Sequence, residues 1–222
     1  MSNVWKRRLL MPGVIVPIFL NVVTTVDALT RPGFNLFRHW ISHQSLGERG
    51  WIGTWNLLIS GFLVCLFAIG LKQTIRSGKG AVWGPILIGT YGLGLLLAAL
   101  FPIDPGLDWP PGEPAGRTAS GSVHDLAGAL VFGSLTAVCF VMSRRFKNDP
   151  QWKGWRTYSI ASGAAVFIAF VLCSVFVAMD YSNTMPGAPS GLFERISMVA
   201  GNLWILLFTI RLLNTEQSPN LE

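Results

Sequence analysis

The stretch Tyr158–Met179, YSIASGAAVFIAFVLCSVFVAM, decides the fold class of this chain. It contains 22 consecutive residues without a charged side chain. At 1.5 Å per residue, a helix of this length reaches about 33 Å, which is enough to cross a hydrocarbon core roughly 30 Å thick. The stretch therefore predicts a transmembrane helix.

Five further apolar runs have a similar length, so the sequence predicts an all-α, polytopic membrane protein. The composition agrees, because 51% of the residues are hydrophobic and only 13% are charged. We expect residues 1–222 to form one domain, a bundle of six transmembrane helices. The predicted spans are Leu9–Leu29, Trp51–Leu71, Ala81–Phe101, His124–Met142, Tyr158–Met179 and Leu192–Leu213. The first run lacks a small-x-small cleavage site, so we expect an uncleaved helix rather than a signal peptide.

The distribution of basic residues predicts the orientation of the bundle. With the N-terminus inside, the inner segments contain twelve Lys and Arg residues and the outer loops contain five: Arg31, Arg38, Arg49, Arg117 and Arg195. Positively charged short loops stay in the cytoplasm, so both termini are expected on the cytoplasmic side of the cell membrane. Membrane lipids are the expected partners of these charges. No basic motif with interleaved aromatic residues suggests nucleic acid.

The second outer loop is the longest interruption of the apolar pattern: Phe101–Leu130, FPIDPGLDWPPGEPAGRTASGSVHDLAGAL. It holds five of the thirteen prolines, and proline fixes φ, so we expect a rigid loop that can hold side chains in place. Asp104, Arg117 and the pair His124-Asp125 are its candidate functional residues. An alternative for the pair is structural, because Ser122 and Asp125 fit a capping box at the start of the fourth helix.

The first outer loop contains Phe34–Leu46, FNLFRHWISHQSL, whose apolar residues recur with a helical period. This pattern predicts a short helix at the membrane interface. His39 and His43 would share one face of that helix, with a spacing that zinc can use. The alternative is two histidines that reach into the headgroup region. No cofactor is predicted; zinc is the one candidate, if His39 and His43 converge with His124, and haem has no support because no facing pair of spanning histidines exists.

The polar residues within the apolar runs lie towards the outer ends of the predicted helices. They are Asp27, Asn56, Asp104, His124, Asp125, Ser174, Asp180, Glu194 and Asn202. Ionisable groups at membrane depth usually face a bundle interior or a cavity, so one outward-facing pocket built from both outer loops is predicted. The alternative is that each residue marks a helix end beside headgroups.

Three of these carboxylates, Asp27, Asp104 and Asp180, end predicted helices, where the helix dipole disfavours an anion. They call for cations, and the candidates are Arg31, Arg38, Arg117 and Arg195. We expect Asp104 to face Arg38 or Arg31. The predicted ligand-binding residues are Arg31, Arg38, His39, Ser42, Asp104, Arg117, His124 and Asp180.

The motifs RPGFNLFRHWISHQSLGERGW and FPIDPGLDWPPGEPAGRTASGSVHD resemble a known family, the six-helix bacterial and archaeal membrane proteins of domain of unknown function 998. The matching positions include Arg31, Arg38, His39 and Ser42 in the first loop, and Pro102, Asp104, Pro105, Gly121, His124 and Asp125 in the second. The resemblance implies a six-helix bundle and supplies no activity. The chain departs from the family pattern at Phe34-Asn35, His43 and Trp109, and the His43 departure argues against a two-histidine metal site as a family feature.

Three classes of function fit the sequence. The first is a binding protein whose outer pocket takes a lipid headgroup or a small polar ligand. The second is a non-catalytic accessory subunit of a larger membrane complex, with other membrane-protein subunits as partners. The third is an extracytoplasmic hydrolase or transferase, in which His124 is the general base, Asp125 or Asp104 orients it, and Arg38 or Arg117 holds an anionic group.

Overall fold

A computed structural model describes residues 3–215, which are 76% helical, with no strand in that range. The helices are α1 (Asn3–Leu10), α2 (Pro12–Thr30), α3 (Gly50–Thr74), α4 (Gly80–Leu100), α5 (Ala119–Arg145), α6 (Trp155–Tyr181) and α7 (Ser190–Thr215). Six segments are long and apolar enough to cross a membrane, and α1 and α2 together supply the first, Val4–Thr30. The predicted all-α, six-span fold is confirmed.

The helices pack mainly against their neighbours in the chain. Helix α2 contacts both α3 and α7, so the succession α2 to α7 closes into a ring, and α5 also reaches α7. Trp204 and Tyr91 are among the largest fully buried side chains at the centre of this ring. We call the end of the bundle with loops 31–49 and 101–118 the loop side.

Glycine permits a close approach between the helices α3 and α4. A Cβ atom added to Gly61 would lie 2.8 Å from the carbonyl oxygen of Gly92, and one added to Gly92 would lie 2.9 Å from the carbonyl oxygen of Gly61. Small residues at a helix interface allow the backbones to pack in membranes, where hydrophobic association between helices is weak. These two glycines therefore set the distance between α3 and α4.

Helix α5 begins five residues before the predicted span. Thr118 is its N-cap, and its hydroxyl accepts a hydrogen bond from the Gly121 backbone N–H at 3.1 Å. The capping-box alternative is therefore wrong, because Ser122 lies inside the first turn of the helix and Asp125 lies one turn further along.

The first outer loop differs from the predicted amphipathic helix. It consists of turns and one 3-10 helix, Ser42–Ser45, and it folds onto the end of the bundle. His39 and His43 are 5% and 1% exposed, so they do not extend into the headgroup region. The reason is Arg31, whose guanidinium donates to the carbonyl oxygens of Leu46 and Gln44 and draws the loop inward.

Candidate functional site

The two outer loops interlock through a tight hairpin in the second loop. Gly106 and Trp109 exchange both backbone hydrogen bonds at 3.0 Å. Leu107 and Asp108 between them have φ angles of 55° and 60°, the left-handed geometry of a two-residue hairpin turn. The Trp109 indole donates to the His43 carbonyl oxygen at 3.0 Å. The hairpin is thereby anchored in the first loop.

Trp109 is the central aromatic residue of this interface, and sequence reasoning did not include it among the candidates. Its side chain is 5% exposed and packs edge-on against Phe34, with 5.0 Å between the ring centroids. The His39 ring lies 5.4 Å away from it. The signal that could have identified Trp109 is a tryptophan inside a proline-rich polar loop, where a large apolar side chain needs a partner to bury it.

Arg38 joins the first loop to the end of α6. Its Nε and Nη2 atoms donate to the two carboxylate oxygens of Asp180 at 2.8 and 2.9 Å, and Nη1 donates to Asp108 at 2.7 Å. The hydrogen bonds that Arg38 donates to Asp180 raise the pKa of Arg38 above its ordinary value. Arg38 therefore binds protein carboxylates rather than presenting a free guanidinium to a ligand.

The predicted pairing of Asp104 with Arg38 or Arg31 is wrong. The Asp104 carboxylate accepts from the backbone N–H of Thr118 at 2.8 Å and from its hydroxyl at 2.6 Å. These two bonds lower the pKa of Asp104. The backbone N–H and hydroxyl of Thr118, at the start of α5, thus stabilise the carboxylate that was expected to need a cation. Gly121 has no side chain, which leaves the space that the Asp104 carboxylate occupies.

Asp27 has the cationic partner that its position predicted. Its carboxylate lies 2.7 Å from Arg31 Nη2 and 2.8 Å from Arg49 Nη2. The Gln44 side chain donates to the same carboxylate at 3.2 Å. This buried cluster fastens the first loop between the end of α2 and the start of α3, so Arg31 has a structural role.

The first-loop histidines are committed to backbone hydrogen bonds. His39 Nδ1 accepts from the Asn35 N–H at 3.0 Å, so Nε2 carries the proton and donates to the Leu107 carbonyl oxygen at 3.1 Å. His43 Nδ1 accepts from the Trp40 N–H at 3.1 Å. Burial lowers the pKa of His43 to about 3. Both rings hold the loop in shape.

Metal coordination finds no geometric support in the part of the chain that the structure describes. Residues 3–215 contain no group of three or more His, Cys, Asp or Glu side chains placed to hold a metal ion. The centroids of the His39 and His43 rings are 6.2 Å apart, and both nitrogens of His39 already have partners. The hypothesis of a zinc site at three converging histidines stays a prediction.

A cavity of about 240 Å³ lies beneath the first loop, at the loop side of the bundle. Its roof is formed by Trp40, Ile41 and Ser42. Phe132 and Phe170, with ring centroids 4.7 Å apart, form its inner end. Its walls come from α3 to α7: Leu57, Leu95, Ala98, His124, Asp125, Gly128, Ala129, Val131, Phe132, Phe170, Cys173, Ser174, Val177, Glu194 and Met198, with Ile103 from the second loop.

The ionisable groups of this cavity, His124, Asp125 and Glu194, lie in the part nearest the loops. His124 and Glu194 are buried there, and Asp125, one turn of α5 above the apolar wall, is exposed. Glu194 accepts a hydrogen bond from the Ile41 N–H at 2.5 Å. Ala129 of α5 and Ser174 of α6 line the cavity and are also exposed on the surface of the bundle.

A more polar recess of about 300 Å³ adjoins the cavity. It shares Trp40, Ile103 and Asp125 with the cavity, and Asp104 and Arg117 are among its other residues. Arg117 pairs with Asp125 at 3.2 Å, and both side chains are largely exposed. Of the predicted ligand-binding residues, the structure places Ser42 and His124 at the cavity and Asp104 and Arg117 at the recess, whereas Arg31, Arg38, His39 and Asp180 form the loop framework.

The orientation of His124 comes from a backbone group. Its Nδ1 donates to the Phe101 carbonyl oxygen at 2.8 Å, because a carbonyl can only accept. Asp125 pairs with Arg117, and Asp104 binds Thr118. The hydrolase hypothesis expects Asp104 or Asp125 to orient His124. In the structure, the Phe101 carbonyl oxygen orients this ring instead.

The fold and the outer loops define a class of protein, a polytopic six-helix membrane protein with a cavity beneath interlocked loops. The chain belongs to the family described as "Protein of unknown function (DUF998)", which matches residues 14–211. The resemblance seen in the two loop motifs is thus confirmed. No curated protein and no solved structure matches the chain at a significant level.

Proposed function

We propose that this protein binds an amphipathic, lipid-like ligand from the leaflet on the loop side. The apolar part of the ligand occupies the cavity, and its polar part lies in the adjoining recess. The single observation that carries this proposal is the division of the cavity into an apolar inner part and an outer part with charged groups, next to Ala129 and Ser174, which are exposed on the surface of the bundle.

The size of the cavity suits a segment of hydrocarbon. An apolar cavity of about 150 Å³ is already large enough to bind benzene, and this one is about 240 Å³. From Asp125 to Phe132 the α5 wall extends about 10 Å along the helix axis. The exposure of Ala129 and Ser174 supports a ligand that arrives from the lipid phase between α5 and α6.

The polar end of the cavity favours a ligand that offers hydrogen-bond donors. Glu194 and Asp125 place carboxylates there, and Arg117 contributes a cation at the outer edge of the recess. A headgroup that carries an amine as well as an anion, as phosphatidylethanolamine does, matches both signs of charge. The loop arginines that are bound to Asp27 and Asp180 take no part in this recognition.

The test compares two leucine substitutions on α5. A Cβ atom at Gly128 or at Gly133 meets nothing within 4 Å, but only Gly128 lines the cavity. In vesicles that contain phosphatidylethanolamine with a photoactivatable acyl chain, we expect the native chain and Gly133→Leu to be labelled at Ala129 and Ser174. Labelling of Gly128→Leu at those positions should fall to background, as read by peptide mass spectrometry.

Equal labelling of the two variants would overturn the proposal. The accessory-subunit hypothesis stays a prediction, and it would gain support if a second membrane protein copurified in fixed stoichiometry while neither variant was labelled. The hydrolase or transferase hypothesis also stays a prediction. In the structure, the group that orients His124 is the Phe101 carbonyl oxygen and not a carboxylate.

A further inference from the structure

A second recess lies at the opposite end of the bundle, between α4 and α5. Its volume is about 650 Å³, larger than the cavity on the loop side. One part of its lining is basic, with Lys79, Arg144 and Arg145. The other part is apolar and includes Trp83, Leu87 and Val141. We call it the basic recess.

The cations of the basic recess lack neutralising partners in the structure. Arg145 donates to the Ser77 carbonyl oxygen, which fixes its position without cancelling its charge. Within residues 3–215, Lys79 and Arg144 form no ion pair with an acidic side chain. Asp149, four residues after Arg145, accepts a hydrogen bond from the Gln151 N–H and shares a neighbouring recess with Arg145, but it forms no ion pair with Arg145. Three neighbouring like charges therefore favour an anion.

The apolar part continues from the cations along the membrane-spanning parts of the helices. Leu87 lies eight residues after Lys79, which corresponds to about 12 Å along α4. Trp83 is half exposed between them, a position at which tryptophan commonly marks the membrane interface. A ligand that satisfies both parts carries an anion and, in line with it, a hydrocarbon chain.

From these two parts we infer that the basic recess binds an anionic phospholipid of the leaflet opposite to the loops. The phosphate lies among Lys79, Arg144 and Arg145, and one acyl chain follows Trp83, Leu87 and Val141. Basic pockets between transmembrane helices are suited to such headgroups, because the charge is held at the depth of the lipid phosphate. This site is separate from the loop-side cavity, so either proposal can fail without the other.

The test uses native mass spectrometry of the full chain in detergent with added phosphatidylglycerol or phosphatidylcholine. The variant carries Lys79→Gln and Arg144→Gln together. The control carries Lys153→Gln and Arg156→Gln, which remove the same charge from exposed residues that do not line the recess. We expect the affinity for phosphatidylglycerol to fall about tenfold in the variant and to stay unchanged in the control. Phosphatidylcholine should bind weakly to all three proteins.

A steric variant tests the apolar part independently. Ala137 lines the recess on the α5 side, so Ala137→Phe should weaken the binding of phosphatidylglycerol while the three cations remain. Soluble glycerol phosphate should bind weakly to every protein because it has no acyl chain. An equal loss in the variant and the Lys153/Arg156 control would overturn the inference, and so would equal binding of the two lipids.

Discussion

Arg38 is the residue that ties the first outer loop to α6, and it defines a prediction about stability. Its bidentate pair with Asp180 is partly buried. Removing one partner of such a pair leaves a stranded charge, which can cost about 3 kcal/mol. We expect Arg38→Ala and Asp180→Asn each to lower the thermal stability of the detergent-solubilised protein, with the double variant less harmful than the sum.

Asp108 is the matched control for that cycle. It also contacts Arg38, but its side chain is 83% exposed, and exposed ion pairs contribute little to stability. Asp108→Asn removes the charge and keeps a residue that tolerates the left-handed φ of 60° at this position, so it should leave the melting temperature nearly unchanged. Strict additivity of the Arg38 and Asp180 effects would show that these two residues do not stabilise each other.

His43 makes the docking of the loops sensitive to pH. Its folded pKa of about 3 lies below its ordinary value of 6.5, so below pH 6.5 the unfolded chain binds a proton that the folded chain does not. The contribution of His43 to the free energy of unfolding is complete above pH 6.5 and is lost as the pH falls below that value. At pH 5 the loss is about 2 kcal/mol.

The measurement is the difference in unfolding free energy between pH 7.5 and pH 5. In His43→Asn this difference should shrink by about 2 kcal/mol, because the amide does not titrate in that range. The Asn Oδ1 can accept the Trp40 N–H that His43 Nδ1 accepts in the native chain. An unchanged pH difference in the variant would show that other groups cause the dependence.

At the scale of elements, the start of α5 depends on Thr118 rather than on Ser122. Thr118 caps the helix and also donates its hydroxyl to Asp104. Loss of an N-cap side chain costs about 1 kcal/mol. Thr118→Ala should lower the melting temperature, whereas Ser122→Ala, at an exposed position within the first turn, should not. The reverse order of effects would support the capping box at Ser122.

The contact between α3 and α4 depends on a single small position in α4. A side chain at Gly92 would collide with Cys65 and with the Gly61 backbone, whereas a Cβ atom at Gly89, three residues earlier, would reach only Ala68, at an ordinary 3.8 Å. We therefore expect Gly92→Ala to destabilise the bundle in a thermal unfolding assay and Gly89→Ala to be tolerated. Equal tolerance of both substitutions would mean that α3 and α4 can move apart without a loss of thermal stability.

At the scale of the whole molecule, the orientation in the membrane is open to direct measurement. We expect cysteines placed singly at Ser77 and Gly154, in a background without native cysteines, to be protected from an impermeant thiol reagent in intact cells. A cysteine at Gly112 should react. The reason is the excess of Lys and Arg on the side opposite to the loops. The opposite labelling pattern would invert the orientation of the bundle.

The sequence predicted the number and the kind of helices because length and hydropathy are local properties. It also predicted that Asp27 needs a cation, with Arg31 among four candidates. In the structure the four-residue spacing brings Arg31 and Asp27 together at the end of a helix. The cluster of polar residues towards one end was visible as well. Four of its members, His124, Asp125, Ser174 and Glu194, line the cavity.

The pairing of distant residues could not be deduced in the same way. Asp104 and Asp108 follow α4, and Asp180 lies at the end of α6, so composition alone does not say which of the three Arg38 binds; the partner Asp180 is 142 residues away in the chain. The choice depends on the left-handed turn at Leu107 and Asp108 and on the burial of Trp109, which bring the second loop over the first.

The sequence by itself therefore determined a six-helix membrane bundle with its polar residues concentrated at one end. Only the tertiary structure decided that the first-loop histidines are buried, that Thr118 satisfies Asp104, and that a cavity lies beneath Trp40, Ile41 and Ser42. The physical reason is the distance along the chain over which each interaction acts. Hydrophobic length acts within one helix, whereas hydrogen bonds and ion pairs between loops depend on the relative positions of segments that the whole bundle sets.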